Sequence, residues 1–362
     1  MAKKLMKGCE AIGEAAIRAG CKLFFGYPIT PQNEIPEYLS HRLPQVGGTF
    51  VQAESEVGAS NMIYGAAGAG ERVFTSSSSP GISLMQEAVS YLAGAELPVV
   101  IVNIMRAGPG LGGILPSQAD YFQATKGGGH GDFNTLVLAP WSVQEAADLV
   151  ADAFDLADYY RNPVYVLGDG LIGQMMEPVE FREDRKPLKD LAAKTWASTG
   201  WKGDRPRAVI NSLYLDADTL EQHNRDLQAK YATIRRDEVR WQGYGLDGDY
   251  DVLIVAYGTV ARVCLTAMEE LREQGIKAAI LRPISLYPFP YDAVRQASAR
   301  ARAVLVVELS AGQMIQDVQL AVAETRPIHF HGRTGGNLVS PDEAAAKVRE
   351  VLDGRSQEVR NA

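Results

Sequence analysis

The sequence predicts an α/β protein of mostly parallel sheets flanked by helices, arranged as two domains with a long irregular segment between them. Three observations carry this. Short apolar runs alternate with helical stretches along the first half of the chain. A second series of the same kind opens at Asp251. The 362 residues amount to about twice an ordinary single domain.

In chain order, strand-like runs lie at 22–25, 49–52, 72–75, 99–104, 135–138 and 164–167, alternating with helical stretches. The helix over 143–159 is the clearest. Val143, Ala147, Val150, Phe154 and Ala157 recur at steps of three and four, with Asp148 and Asp152 on the opposite face. Open sheets of this kind bind ligands at the carboxyl ends of their strands, so the loops that follow the strands are where function is sought. From about 180 to 250 the pattern degrades into the charged run at 182–186 and three tryptophans, Trp196, Trp201 and Trp241, without period. Too long for an ordinary loop, this segment is expected to connect domains or wrap a partner. The second series begins with DVLIVAYG at 251–258 and continues with a helix carrying Val263, Ala267, Met268 and Leu271. Gly275 ends that helix in the C′ position. KAAILRPISLYPF and AVLVVELSAGQM follow. The expected domains are therefore 1–190 and 250–362, joined by an irregular segment at 191–249.

With 46% hydrophobic, 22% charged and 8% aromatic residues, the chain has the composition of a globular protein with a full core. Its net charge of −8 provides no sequence-wide basic field for nucleic acid or an anionic membrane. Cys9, Cys21 and Cys264 show no CxxC or Cys/His spacing, which argues against an iron–sulfur cluster or structural zinc held by this chain alone. No metal ligand is assigned to it. The longest apolar stretch, 97–105, is interrupted by Asn103 and far too short to span a membrane. A cytoplasmic protein is expected.

Several loops at strand ends carry candidate chemistry. In GYPITPQNE, 26–34, Thr30 before Pro31 has the order of an N-cap followed by a proline at N1. Free amides at a helix start suit a small anion such as a carboxylate; a capped helix without a ligand has the same sequence. Pro36 implies a tight first turn or a kink. In VQAESEVGASNMIYGAAGAG, 51–70, a strand runs into a helix of small residues, which lets another backbone or a flat ligand approach. Glu54 and Glu56 open that helix, where the helix dipole stabilises a carboxylate whether it is catalytic or not. The serines at 76–79, with Pro80 and Gly81, bind polar ligand atoms or simply cap a helix. NIMRAGPGLG, 103–112, ends an apolar strand in Arg106 and then glycines, an arrangement suited to bidentate capture of a carboxylate or to a structural salt bridge. KGGGHGD, 126–132, adds a glycine-rich loop with a lone histidine, His130. Gly168, Asp169 and Gly170 open as the magnesium–diphosphate motif of thiamine enzymes does, but the stretch 194–200 lacks the Asn that would complete it. This chain is not expected to hold the diphosphate.

Taken together, YPITP at 27–31, SSSSPGISLMQE at 76–87, AELPVVIVNIMRAGPGLG at 95–112 and KGGGHGD resemble the alpha subunit of the 2-oxoacid:ferredoxin oxidoreductases. The resemblance is to the branch acting on branched-chain 2-oxo acids and 2-oxoglutarate, and covers nearly the whole chain. It implies an α/β fold in which a thiamine-enzyme pyrimidine-type parallel-sheet domain is followed by a transketolase carboxy-terminal-like α/β domain. It also implies a site. Glu56, nine positions before Gly65, matches the glutamate that contacts the aminopyrimidine of thiamine diphosphate, with Glu54 the weaker match. Pro28, Ile29 and Ser77 match cofactor-binding positions, and Thr30 and Arg106 match residues that grip the substrate carboxylate.

The partners implied are a beta subunit carrying the diphosphate–Mg site, gamma and ferredoxin-like subunits, ferredoxin and coenzyme A, with [4Fe-4S] clusters on partner subunits only. The reaction implied is oxidative decarboxylation of a 2-oxo acid, 3-methyl-2-oxobutanoate or 2-oxoglutarate, to acyl-CoA, CO2 and reduced ferredoxin. The rivals are the beta-type half of a lipoyl-linked 2-oxoacid dehydrogenase, a split transketolase, and a non-catalytic scaffold subunit.

Overall fold

A computed structural model describes residues 3–182 and 184–359. The first part of the chain runs β1 (Lys4–Lys7), α1 (Gly8–Arg18), β2 (Leu23–Gly26), α2 (Glu34–Gln45), β3 (Thr49–Gln52), α3 (Glu56–Gly68), β4 (Val73–Ser77) and α4 (Ser79–Gly94). It continues through β5 (Val99–Met105), α5 (Tyr121–Thr125), β6 (Leu136–Leu138), α6 (Val143–Tyr160), β7 (Pro163–Asp169), α7 (Gly170–Gln174) and β8 (Met176–Val179). Then come α8 (Ala217–Asp237), β9 (Trp241–Tyr244), β10 (Val252–Val255), α9 (Gly258–Glu273), β11 (Ala278–Pro283) and β12 (Ser285–Tyr287). The remainder is α10 (Tyr291–Ser298), β13 (Ala303–Glu308), α11 (Met314–Val322), β14 (Ile328–Gly332) and α12 (Pro341–Leu352).

Two large sheets and a two-stranded antiparallel ribbon, β1-β8, organise these elements. The seven-stranded sheet has the order β12-β6-β7-β5-β4-β2-β3, parallel throughout except for β12, which runs antiparallel to β6. Its central strands β4, β5 and β7 are buried at every position, which explains why they show no alternation of apolar and exposed polar residues. From β2 the chain steps outward to β3 at the edge and returns to β4 on the other side of β2. That reversal opens a crevice at the carboxyl ends of β2 and β4, the place where sheets of this class bind ligands. The second sheet, β14-β13-β10-β11-β9, is parallel except at the β9 edge. Helix α9 ends as its sequence implies. Gly275 has φ +76°, and the Gly275 and Ile276 amides donate to Arg272 and Leu271 carbonyls in a Schellman closure.

Two expectations are corrected. The segment 191–249 is not irregular throughout: it contains the 21-residue helix α8 and the strand β9. Helix α8 buries only a narrow stripe of Leu227, Tyr231 and Ile234 against the first domain, too few apolar positions to stand out among its charged residues. The stretch before it lies over the small-residue end of α3, where Ser198 donates to the Gly68 carbonyl and Ile210 packs on Gly68. Likewise, ISLYPF does not stay in the second sheet. Ser285–Tyr287 crosses to the first sheet and pairs with β6.

The domains are further joined by buried polar contacts. Gln118, fully buried, donates through its side chain to the Tyr257 carbonyl (2.9 Å) and accepts from the Leu309 amide (3.0 Å). Its own amide donates to the Leu309 carbonyl (2.8 Å), and its carbonyl accepts from the Tyr257 hydroxyl (3.1 Å). Asp317 accepts from the Tyr121 hydroxyl and pairs with Lys126, each at 2.6 Å.

Arg282, 1% exposed, makes a two-pronged pair with Glu145, both contacts at 2.7 Å, and lies 4.3 Å above the Trp141 ring. Truncating it leaves the Glu145 carboxylate without its cation in a largely dry interface. Arg282→Met is expected to lower the unfolding free energy by about 3 kcal/mol, measured by denaturant titration against wild type.

Candidate active site

The carboxyl ends of β2, β3, β4 and β5 bring the sequence-derived candidates to one edge of the first sheet. Glu56 is the first residue of α3, after the Ser55 N-cap, whose hydroxyl accepts from the Gly58 amide (3.1 Å). Its side chain is buried, 6% exposed. It packs on the first turn of α4 so closely that a methyl group on Gly81 would stand 2.5 Å from Glu56 Oε1 and 2.1 Å from Ser77 Oγ. Glycine is required there, and it brings Glu56 and Ser77 together. No protein hydrogen bond or ion pair reaches the Glu56 carboxylate among the described residues. Ser77 Oγ and Ser78 Oγ are likewise buried without a partner. Glu54, by contrast, is exposed and folds back over Gly58.

Thr30 is not where the N-cap reading put it. Helix α2 begins at Glu34 after Asn33, and the Thr30–Pro31 peptide is cis. The intervening turn is pinned by buried Gln32, whose Oε1 accepts from Ser76 Oγ (2.6 Å), and by Gln174, which donates to the Pro31 carbonyl (2.9 Å). Those anchors keep 31–33 out of the helix, so the anion-binding argument from free helix amides does not apply to Thr30. Pro36 falls in the first turn of α2, where its missing N–H is no loss. In the same loop Pro28 is exposed and Ile29 half-buried.

Arg106 follows β5 directly and is 7% exposed. Its guanidinium donates to the Thr30 carbonyl (2.9 Å) and to the Leu111 carbonyl (3.1 Å), clamping the YPITP loop to the GPGLG loop. Among the described residues no carboxylate pairs with it, so the salt-bridge alternative is not what the structure contains. Nε is buried and unpartnered. A guanidinium has five N–H donors, which leaves directed donors for a ligand.

Below Arg106 lies a polar cluster not anticipated from the sequence. Asp120 Oδ2 accepts from Ser79 Oγ (2.6 Å) and from Asn103 Nδ2 (2.8 Å). Burial raises the Asp120 pKa, and those two hydrogen bonds oppose the shift. The only sequence signal was an Asn interrupting an apolar strand. Arg106, Ser79 and Asp120 line a cavity of about 590 Å³ closed on the far side by Leu309, Ser310 and Thr334 of the second domain.

The other candidates lie elsewhere. His130 packs edge-on against Tyr91, with ring centroids 5.8 Å apart, on the flank of α4. The Asp169 carboxylate is occupied by protein. Its Oδ1 accepts from the Leu171 and Ile172 amides at 2.9 and 3.1 Å, and its Oδ2 accepts from the Thr259 hydroxyl. GDG here caps α7 and fastens it to the second domain. Among the described residues no group of three or more His, Cys, Asp or Glu side chains is placed to hold a metal ion, and no helix is long and apolar enough to cross a membrane.

An unpartnered buried glutamate and serines at the reversal point of a parallel sheet, followed by a second parallel domain, mark the crevice as the ligand site of a two-domain α/β protein. Two family models refine this. "Pyruvate flavodoxin/ferredoxin oxidoreductase, thiamine diP-bdg" matches residues 14–239, and "Pyruvate:ferredoxin oxidoreductase core domain II" matches residues 250–344. The chain belongs to this 2-oxoacid:ferredoxin oxidoreductase family, as a subunit.

It is 49% identical over 356 residues to ketoisovalerate oxidoreductase subunit VorB of Methanothermobacter thermautotrophicus, covering 98% of this chain and all of that one. It is 37% identical over 364 residues to 2-oxoglutarate synthase subunit KorA of Archaeoglobus fulgidus, covering 98% and 99% of the two chains. Among solved structures it superposes on 2-oxoglutarate:ferredoxin oxidoreductase from Magnetococcus marinus, solved with 2-oxoglutarate, coenzyme A and succinyl-CoA bound. The TM-score is 0.86 at 27% identity, over 96% of this chain and 65% of that longer one.

Burial raises the Asp169 pKa above its unfolded value of about 3.9. A carboxylate shifted this way contributes stability that is full below the unfolded value and is lost as pH rises through the folded one. Asp169→Asn keeps an acceptor for the two amides and carries no charge. Its unfolding free energy is expected to fall less steeply than that of wild type above pH 4, with the slope from Glu308, raised for the same reason, remaining. Parallel pH-stability titrations of the two proteins measure the difference.

Proposed function

We propose that this chain is the alpha subunit of a thiamine diphosphate-dependent oxidoreductase that decarboxylates a branched-chain 2-oxo acid oxidatively. With coenzyme A the products are acyl-CoA, CO2 and reduced ferredoxin. The observation that carries the reading is Glu56, a buried residue whose carboxylate has no protein partner, beside two buried, unpartnered serine hydroxyls. A buried charge persists where a ligand completes it. Thiamine diphosphate fits this position, with Glu56 and Ser77, and Pro28 and Ile29 from the adjoining loop, on the side of its aminopyrimidine. When bound it supplies a carbon nucleophile and accepts the electron pair released as carbon dioxide leaves.

The chain's own residues do the rest by position. Glu56 holds and returns a proton at its carboxylate from the floor of the crevice. Arg106 directs its remaining N–H donors at the substrate carboxylate, while Thr30, clamped beside it through its carbonyl, offers its hydroxyl from the same loop. The diphosphate, its magnesium and the [4Fe-4S] clusters belong on partner subunits. The occupied Asp169 carboxylate and three separate buried cysteines, Cys9, Cys21 and Cys264, support this reading. Exposed apolar residues around the site, including Val57, Leu84, Leu111, Ile114 and Leu115, supply a face for the beta subunit.

Substrate choice is read from the cavity beside Arg106. Its lining includes Asp120 and, Arg106 apart, no basic side chain. A second carboxylate, as in 2-oxoglutarate, finds no counter-ion there, whereas a branched aliphatic group meets Pro80, Ala107 and Leu309. The 49% identity to a ketoisovalerate oxidoreductase subunit points the same way.

The complex copurified with this chain is expected to turn over 3-methyl-2-oxobutanoate with a higher kcat/KM than 2-oxoglutarate or pyruvate. A steady-state panel with ferredoxin reduction as readout checks this, and a preference for 2-oxoglutarate reverses the assignment. In the same complex, Glu56→Gln is expected to lower turnover by roughly 10² to 10⁴ while thermal melting and subunit assembly stay as in wild type. Near-normal turnover in Glu56→Gln together with a dead Glu54→Gln would move the proton-carrying role to Glu54.

A further inference from the structure

We propose that Asp120 is a positioning residue for substrate capture, acting through Ser79 and Asn103 to hold Arg106 in register at the end of β5. The inference rests on the reading of Arg106 as the carboxylate-binding cation. Ser79 Oγ lies against both main-chain polar atoms of Arg106, accepting from its amide at 3.0 Å and standing 3.2 Å from its carbonyl. A serine hydroxyl has one proton and rotates to suit its surroundings. Asp120 Oδ2, 2.6 Å away, accepts a hydrogen bond from that hydroxyl and leaves the Ser79 lone pairs facing the Arg106 amide.

The same Oδ2 accepts from Asn103 Nδ2 at 2.8 Å. This settles which way the Asn103 amide points, so that its Oδ1 accepts from the Ser79 amide at 3.2 Å. One carboxylate oxygen thus fixes a hydroxyl rotor and an amide orientation at once. Through them it ties the start of α4 to the last residues of β5. Remove Asp120, and the Ser79 proton is free to turn toward the Arg106 carbonyl while Asn103 loses the acceptor that orients it. The guanidinium then loses the fixed base from which it reaches Thr30 and Leu111. Asp120 does not touch the guanidinium and acts on it through Ser79 and Asn103, which makes it a positioning residue for Arg106.

The test is a double-mutant cycle on the assembled complex, reading KM for 3-methyl-2-oxobutanoate and kcat, with a thermal melt on each variant. Asp120→Ala is expected to raise KM about tenfold, and Asp120→Asn, which keeps an acceptor oxygen in place, to recover most of that loss. In an Arg106→Met background, Asp120→Ala is expected to change KM by no more than about twofold, because coupled residues are not additive. Ser79→Ala reproduces the pattern without removing the buried carboxylate, and serves if Asp120→Ala does not fold. Equal effects of Asp120→Ala in both backgrounds overturn the proposal, as does an unchanged KM in Asp120→Ala beside a raised one in Arg106→Met. An unchanged KM in Arg106→Met itself would instead sink the reading of Arg106, and the proposal with it.

Discussion

The loop from Arg106 to Asp120 is the constraint on which the site depends, because it is held at both ends by different domains. At its start, the Arg106 guanidinium joins it to the loop after β2. At its end, Gln118 is locked to Tyr257 and Leu309 of the second domain through four hydrogen bonds that use both its main chain and its side chain. Fully satisfied polar contacts in a dry interface specify a single geometry, since any slip leaves buried groups unpaired. The second domain therefore takes part in shaping the cavity although none of the strand ends bearing Glu56, Thr30, Ser77 and Arg106 belongs to it.

A second consequence concerns Asp169. Its motif is the one that begins a diphosphate site in other thiamine enzymes, yet here its oxygens cap α7 and bind Thr259. The same Gly-Asp-Gly arrangement, a carboxylate at the end of a parallel strand facing free amides, serves here as an intramolecular fastener. Glu308 repeats the device at the start of α11, accepting from three successive amides and the Ser310 hydroxyl.

Much of this fold was legible in the sequence, and the reasons it was not elsewhere are physical. Central strands announced themselves by continuous apolar runs and α6 by its period, because burial on both faces or on one stripe leaves a pattern. Helix α8 left almost none, since most of its surface is solvated. Strand β12 was readable as a strand, but nothing local says which of two sheets a three-residue strand joins. At the site, Arg106 was visible because charge at the end of an apolar strand is conspicuous, whereas Glu56 was separated from Glu54 only by the family resemblance. Thr30 was found for a reason the structure does not bear out: its backbone enters a turn pinned by Gln32 and Gln174, contacts remote in sequence. Asp120 was missed because its partners, Ser79 and Asn103, lie 41 and 17 positions away.

The crossing of β12 into the first sheet bears on how the chain is made. Strand β6 (Leu136–Leu138) gains its outer neighbour only when Ser285–Tyr287 have been synthesised, so over that interval of translation the nascent first domain carries an open β edge, the usual starting point for misassociation between chains. The antiparallel edge pairing closes it late, from a domain that must itself be folding at the time. A gene divided between the two domains would leave that edge bare in one product and an orphan strand in the other, and would need the pieces to be made side by side.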